Sequence, residues 1–135
     1  MIELAIQHVL ENASSLTALV DTRIDWGART QGDDVPCCFF RLPAERDHAI
    51  GGGTVEADLE VYGIADTLQD AVEIAKVAWA ALEAELQGGE VGTTDIEVLS
   101  LVRGDTTKTV ELAVNGEDRD PVEVAITGSI VYREV

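Results

Sequence analysis

Three kinds of residue in this 135-residue chain could do chemistry: alternating carboxylates, Glu56, Asp58 and Glu60; adjacent thiols, Cys37 and Cys38; and two histidines, His8 and His48. Three acids on one strand face could hold a metal ion. Ligands about 7 Å apart along a strand seldom converge on one ion, however, and no histidine alternates among them. The acidic stretch Glu117-Asp118-Arg119-Asp120 lacks the regular ligand spacing and closing glutamate of a calcium loop. Cys37 and Cys38 fall in an extended run and point to opposite faces, so they form neither a mutual disulfide nor a CxxC metal pair and read as buried thiols. His8 belongs to the polar side of a first helix and His48 to a loop, and neither has the Cys, Ser or Asp pattern of a triad. Gly51-Gly52-Gly53 invites comparison with a phosphate-cradling loop, but the Lys-Ser/Thr signature and the GxGxxG spacing are both missing. The triplet Arg103-Gly104-Asp105 reads as a turn rather than an adhesion motif. These residues predict no catalytic site, no metal, no cofactor and no enzymatic activity.

Charge narrows the field further. The chain carries 26 acidic and 9 basic residues, a formal net charge of −17. Residues 1–45 hold 7 acids and 3 bases, residues 46–90 hold 10 and 2, and residues 91–135 hold 9 and 4. Such an even excess belongs to a folded surface, because an interaction tail would concentrate like charges in one block. An acidic surface serves solubility and repels nucleic acid and anionic membranes. The few lysines and arginines form no basic stripe for nucleic-acid recognition. At 46% hydrophobic, the length suits a single domain, residues 1–135, and aromatics at 4% leave the core to aliphatic side chains. The N-terminus lacks the basic region and long apolar run of a signal peptide, and no stretch approaches the roughly 18 apolar residues of a membrane span. The expected compartment is the cytosol.

Several elements must position these groups. Ile2, Ala5, Ile6, Val9 and Leu10 make one apolar stripe of a helix ending near Asn12, and Ser14 or Ser15 can cap a second short turn through Val20. Residues 23–27 and 37–42 read as strands, separated by a loop over 28–35 and followed by a second loop over 43–53. Val55, Ala57, Leu59 and Val61 alternate with Glu56, Asp58 and Glu60, a strand with one buried face and one carboxylate ladder. Residues 66–87 form a long helix, capped by Asp66 or Thr67, with a stripe of Leu68, Ala71, Val72, Ala75, Ala78, Trp79, Leu82 and Leu86. Residues 96–102 read as a strand, residues 103–108 as a turn, residues 109–114 as a strand closed by Asn115-Gly116, and the alternation from Val122 to Tyr132 as a final long strand. The order predicts an α+β fold: an antiparallel or mixed sheet of four to five strands covered by two main helices. Its open face should carry Glu56, Asp58, Glu60, Glu123 and Thr127.

A resemblance rests on particular residues. An N-terminal helix precedes Leu16-Thr17-Ala18-Leu19-Val20 and Arg23-Ile24; Pro36 leads a strand; Leu59-Glu60-Val61-Tyr62 ends another; and Asp66-Thr67-Leu68-Gln69-Asp70-Ala71 opens a long helix reaching Leu82. This arrangement, over most of residues 1–87 and again in Gly128-Ser129-Ile130-Val131-Tyr132-Arg133, resembles the tail completion, or tail terminator, family of long-tailed bacteriophages. Leu16, Leu19, Arg23, Ile24, Pro36, Ala71, Leu82 and Tyr132 are the family-like positions, most of them core or turn positions. Cys37-Cys38, Gly51-Gly52-Gly53 and the acidic segment 115–120 depart from the family pattern.

The resemblance implies a structural protein of the virion tail, assembled in the host bacterial cytoplasm. Such proteins form a ring, usually a homohexamer, that ends tube polymerisation and joins the tail to the head. The implied partners are further copies of the chain, the tail tube protein and a head connector protein, a stopper or adaptor; DNA crosses the bore without specific binding, and no membrane is involved. Arg41, Arg46, His48, Gly51, Gly52 and Gly53 are the expected interface residues, and Glu56, Asp58, Glu60, Glu117, Asp118 and Asp120 the expected bore-lining acids. Two other classes remain open at this stage: another head–tail connector component, or a small ligand-binding α+β domain, which would need a concave pocket with convergent polar groups.

Overall fold

The structure is a computed structural model and describes residues 2–27, 35–47, 53–86, 89–90, 96–109 and 122–134. Two helices come first, α1 (Ile2–Glu11) and α2 (Ser14–Val20), then strands β1 (Ile24–Trp26), β2 (Cys37–Arg41), β3 (Glu45–Asp47) and β4 (Val55–Ala65). The long helix α3 (Leu68–Leu86) follows, and β5 (Gly89–Glu90), β6 (Ile96–Thr109) and β7 (Val122–Glu134) complete the order. The strands form one mixed sheet in the order β1-β2-β4-β7-β6-β5, with β3 paired to β4 off that path. Only β1 and β2 run parallel among these pairs.

The α+β architecture matches the sequence pattern: α2 falls on the expected second short turn, and two very short strands, β3 and β5, join the expected elements. The stripe of α1 is buried in full. On α3 the buried stripe is Ala71, Ile74, Ala75, Ala78, Trp79, Leu82 and Leu86, whereas Leu68 is exposed in the first turn. Thr67 Oγ1 accepts the amide hydrogen of Asp70 at 3.2 Å, which satisfies one of the donors left unpaired at a helix start. The expected serine cap of α2 is not formed. Ala13 occupies the N-cap position without a side-chain bond, while Ser14 and Ser15 lie within the helix.

The helices cover one face of the sheet, and the main core lies between the two layers. Two glycines set how closely α3 approaches. A Cβ on Gly63 of β4 would stand 2.3 Å from the Ala71 carbonyl oxygen, and one on Gly128 of β7 would stand 2.6 Å from the Trp79 ring. Trp79 lies flush because nothing projects from Gly128, and its Nε1 donates to Glu83 Oε1 at 2.7 Å.

Two loop expectations are corrected. Residues 45–47, expected inside the 43–53 loop, form β3, and Arg46 pairs in register with Glu56. The Arg103-Gly104-Asp105 triplet is part of the continuous strand β6. Arg103 faces Gly128 and Thr106 faces Ile126, so Gly104 and Asp105 together oppose Thr127. The turn-like composition therefore makes a β-bulge, which holds an extra residue inside a ladder without ending it. The segment 110–121, including the expected Asn115-Gly116 turn, lies outside the described residues.

Candidate functional site

The face of the sheet turned away from the helices gathers most of the polar residues singled out in the sequence. Alternation on β4 puts Glu56, Asp58, Glu60 and Tyr62 on this face, and pairing places Thr127 beside Glu60 and Ser129 beside Asp58. Glu60, Tyr62, Thr107, Glu123, Ala125 and Thr127 line a depression of about 200 Å³. Gly104 approaches the Thr127 backbone, and Thr127 Oγ1 donates to the Asp105 carbonyl at 3.2 Å, fastening the bulge beside the depression.

The carboxylate ladder is not bare. Arg46 reaches across from β3 to Glu56 and Asp58, each at 3.2 Å. Arg41 Nε donates to Glu60 Oε1 from β2, which pairs with β4 further along the same edge as β3. Arg41 and Arg46, expected at an interface, thus lie on the same face as the three acids expected in a bore. Hydrogen bonding to Glu60 raises the Arg41 pKa, and bonding to Asp58 and then Glu56 raises that of Arg46, so both stay cationic while bridging carboxylates. Arg133 adds a third pair with Glu97 at 2.8 Å. On this face Glu56, Asp58, Glu60, Glu97 and Glu123 outnumber Arg41, Arg46 and Arg133. All these pairs are partly solvated, so each fixes geometry more than it adds stability.

An aromatic element was not anticipated. Phe39 and Tyr62 are directly opposite on β2 and β4 and stack with ring centroids 4.2 Å apart and planes within 6°. The Arg41 guanidinium carbon lies 5.4 Å from the Tyr62 ring centroid, within cation–π range. Burial, and next the nearby Glu60 charge, raises the Tyr62 pKa. The stack was hidden because Cys37-Cys38-Phe39-Phe40 has no polar alternation, so only the register shows which ring faces Tyr62. Cys37 packs with Phe39 and Ile64 on this face, while Cys38 enters the main core from the other. Both cysteines are buried and neither is in a disulfide, and burial pushes the Cys38 pKa up to about 12.

The remaining expected residues are dispersed. His8 is exposed on α1 with its Nδ1 3.4 Å from Asn12 Nδ2, and Gly53 is exposed with φ of 77°. His48, Gly51, Gly52, Glu117, Asp118 and Asp120 lie outside the described residues. Among the family-like positions, Leu16, Ile24, Ala71, Leu82 and Tyr132 are buried. Arg23 and Pro36 touch: Arg23 Nε donates to the Pro36 carbonyl at 2.7 Å, tying the approach to β1 to that of β2. Tyr132 donates its hydroxyl to Glu45 Oε1 at 3.1 Å, and burial together with that carboxylate raises its pKa. Among the described residues, no three His, Cys, Asp or Glu side chains are grouped to hold a metal ion, and no helix is long and apolar enough to cross a membrane.

The fold and this face define an α+β protein with one helix-covered face and one face of interleaved ions. No family model matches the sequence, and no curated protein matches it. Among solved structures, the chain is similar to one described as "Virion of native gene transfer agent (GTA) particle", at a TM-score of 0.64 and 19% identity, over 98% of this chain and 94% of that one. At that identity the likeness establishes a shared fold over nearly the whole length of both chains.

Proposed function

We propose that the protein is a structural, non-catalytic component of a phage-like particle, a tail terminator that forms a ring at the head-proximal end of the tail tube. The observation that carries the reading is the fold shared, over 98% of this chain, with a chain from a virion of a gene transfer agent particle. The resemblance of residues 1–87 and of the last strand to tail completion proteins narrows that to the head–tail junction. The proposed partners are further copies of the chain, the tail tube protein, and a stopper or adaptor on the head side.

In such a ring the Glu56, Asp58 and Glu60 face is the proposed bore lining. Arg41 and Arg46 lower its charge but leave carboxylates in excess, so a passing duplex meets net repulsion on a hydrated wall. Arg46 has a role of its own here, because it fastens β3 to β4 across the ladder. Arg46→Glu sets a third carboxylate against Glu56 and Asp58 and is expected to weaken tail assembly; unchanged ring formation and tail joining would remove Arg46 from the proposal.

Deletion of the gene in the producing bacterium, followed by electron microscopy of the particles, tests the role. The expected result is separate heads together with unjoined tails of uncontrolled length. Normally joined particles with normal tails would overturn it.

A further inference from the structure

The exposed large apolar side chains are not scattered evenly. Among the described residues they are Leu4, Trp26, Leu68, Leu99 and Val102. Trp26, 48% exposed, lies on β1, the terminal strand at one end of the sheet order, and Leu4, 56% exposed, lies on α1, which packs on β1. Leu99 and Val102, 42% and 57% exposed, lie on β6 near the opposite end.

The two ends differ in backbone and charge as well. Strand β6 pairs with β7 along its length, but on its other side β5 covers only Glu97 and Val98. Among the described residues, nothing pairs the outer side of β6 from Leu99 to Thr109. Long bare edges are normally blunted by bulges and charges. Here β6 has bulges at Leu99 and at Gly104-Asp105, yet it also exposes Leu99 and Val102, which protection alone does not call for. Arg103 is exposed on β6 in a chain of net charge −17. The β1 end is acidic. Gln7 Nε2 donates both to Glu11 Oε1 at 2.7 Å and to the Ile24 carbonyl at 3.1 Å, holding Glu11 beside β1, and Asp21 is exposed nearby in sequence.

We propose that the β6 edge of one copy docks against the β1 end of a second copy, with Leu99 and Val102 meeting Trp26 and Leu4 and Arg103 facing the Glu11 side. The two surfaces differ, so the contact is heterologous, the type of interface that repeats head to tail and closes into a ring when its rotation allows. β1 has only three residues and Gln7 already occupies the Ile24 carbonyl, so side chains rather than strand addition carry the contact. The inference deepens the ring reading and rests on it only for closure.

The test uses the full chain and two variants, Trp26→Glu and Val102→Glu, whose positions are exposed. Circular dichroism melts confirm that each variant folds, and Leu99→Glu provides a second β6 variant should Val102→Glu fail to fold. Native mass spectrometry and sedimentation velocity read assembly. The wild type is expected to form oligomers with concentration, while each variant alone stays monomeric. An equimolar mixture of the two should give one-to-one dimers and nothing larger, because one intact β6 edge and one intact β1 end remain. Oligomers persisting in Trp26→Glu but not Val102→Glu would mean a symmetric β6 contact and overturn the heterologous arrangement. Unchanged oligomers in both variants, or a wild type monomeric at every concentration, would overturn the interface itself. The deletion phenotype is read independently, so a monomeric protein that is still needed for tail joining would sink this interface while leaving the role in place.

Discussion

Gly63→Ala tests how the helix layer sits on the sheet. The added Cβ would stand 2.3 Å from the Ala71 carbonyl oxygen, 2.8 Å from the Ala75 nitrogen and 2.9 Å from the Ile74 Cβ. Two of those atoms are backbone, so no side-chain rotation relieves the clash. Restoring ordinary contact requires α3 to lift from β4 by about 1 Å, against a van der Waals contact distance of about 3.4 Å. That shift loosens Ala71, Ile74 and Ala75 together, which places the cost at the upper end of the overpacking range, about 3 kcal/mol. At about 2.1 cal/mol/K per residue, 135 residues unfold with an entropy of about 0.28 kcal/mol/K, so the midpoint should fall by about 10 °C. Thermal unfolding followed by far-ultraviolet circular dichroism reads the shift. Gly104→Ala is the internal comparison: its Cβ would meet the Thr127 carbonyl oxygen at 3.0 Å on an exposed edge strand that can give, and its cost should stay near 1 kcal/mol. A Gly63→Ala midpoint equal to that of Gly104→Ala would refute the close packing of α3 on β4.

Three further predictions follow from the same contacts. Trp79→Ala removes a ring seated on Gly128 and should cost about 3–5 kcal/mol, measured by urea denaturation, with a loss below that range contradicting full burial. Cys38 binds its proton more tightly in the folded than in the unfolded state, so stability should fall as pH rises from about 9 towards about 12, with a slope of up to about 1.4 kcal/mol per pH unit for this proton; Cys38→Ala should remove that component, and an unchanged pH profile would show that the thiol is not buried as described. Arg41→Ala breaks a partly solvated pair with Glu60 and should cost about 1 kcal/mol or less, but it should shift the Tyr62 resonances in an NMR spectrum because the guanidinium lies over that ring; Tyr62 signals unmoved by the substitution would refute the placement of Arg41 over the ring.

What could be read in advance follows from where each element gets its order. α1, α3, β4 and β7 repeat their apolar positions every 3.6 or 2 residues, so each carries its own signal. β3 carries none: Glu45, Arg46 and Asp47 are all exposed, and the strand is defined by its pairing with β4, across which Arg46 bridges Glu56 and Asp58. The Arg103-Gly104-Asp105 bulge likewise depends on pairing with Thr127, a relation that no local composition expresses. On the candidate face, alternation alone could place Glu56, Asp58 and Glu60 together. Register was needed to bring Arg41 to Glu60 and Phe39 onto Tyr62, turning a supposed ladder of bare carboxylates into a largely paired ionic and aromatic surface.

The central claim is a position in a particle, and gold-labelled antibody against the full chain, imaged on purified particles by electron microscopy, tests it most directly. The label is expected to be confined to the junction between head and tail. Label at the distal tip or along the whole tail, or particles free of the protein, would contradict it.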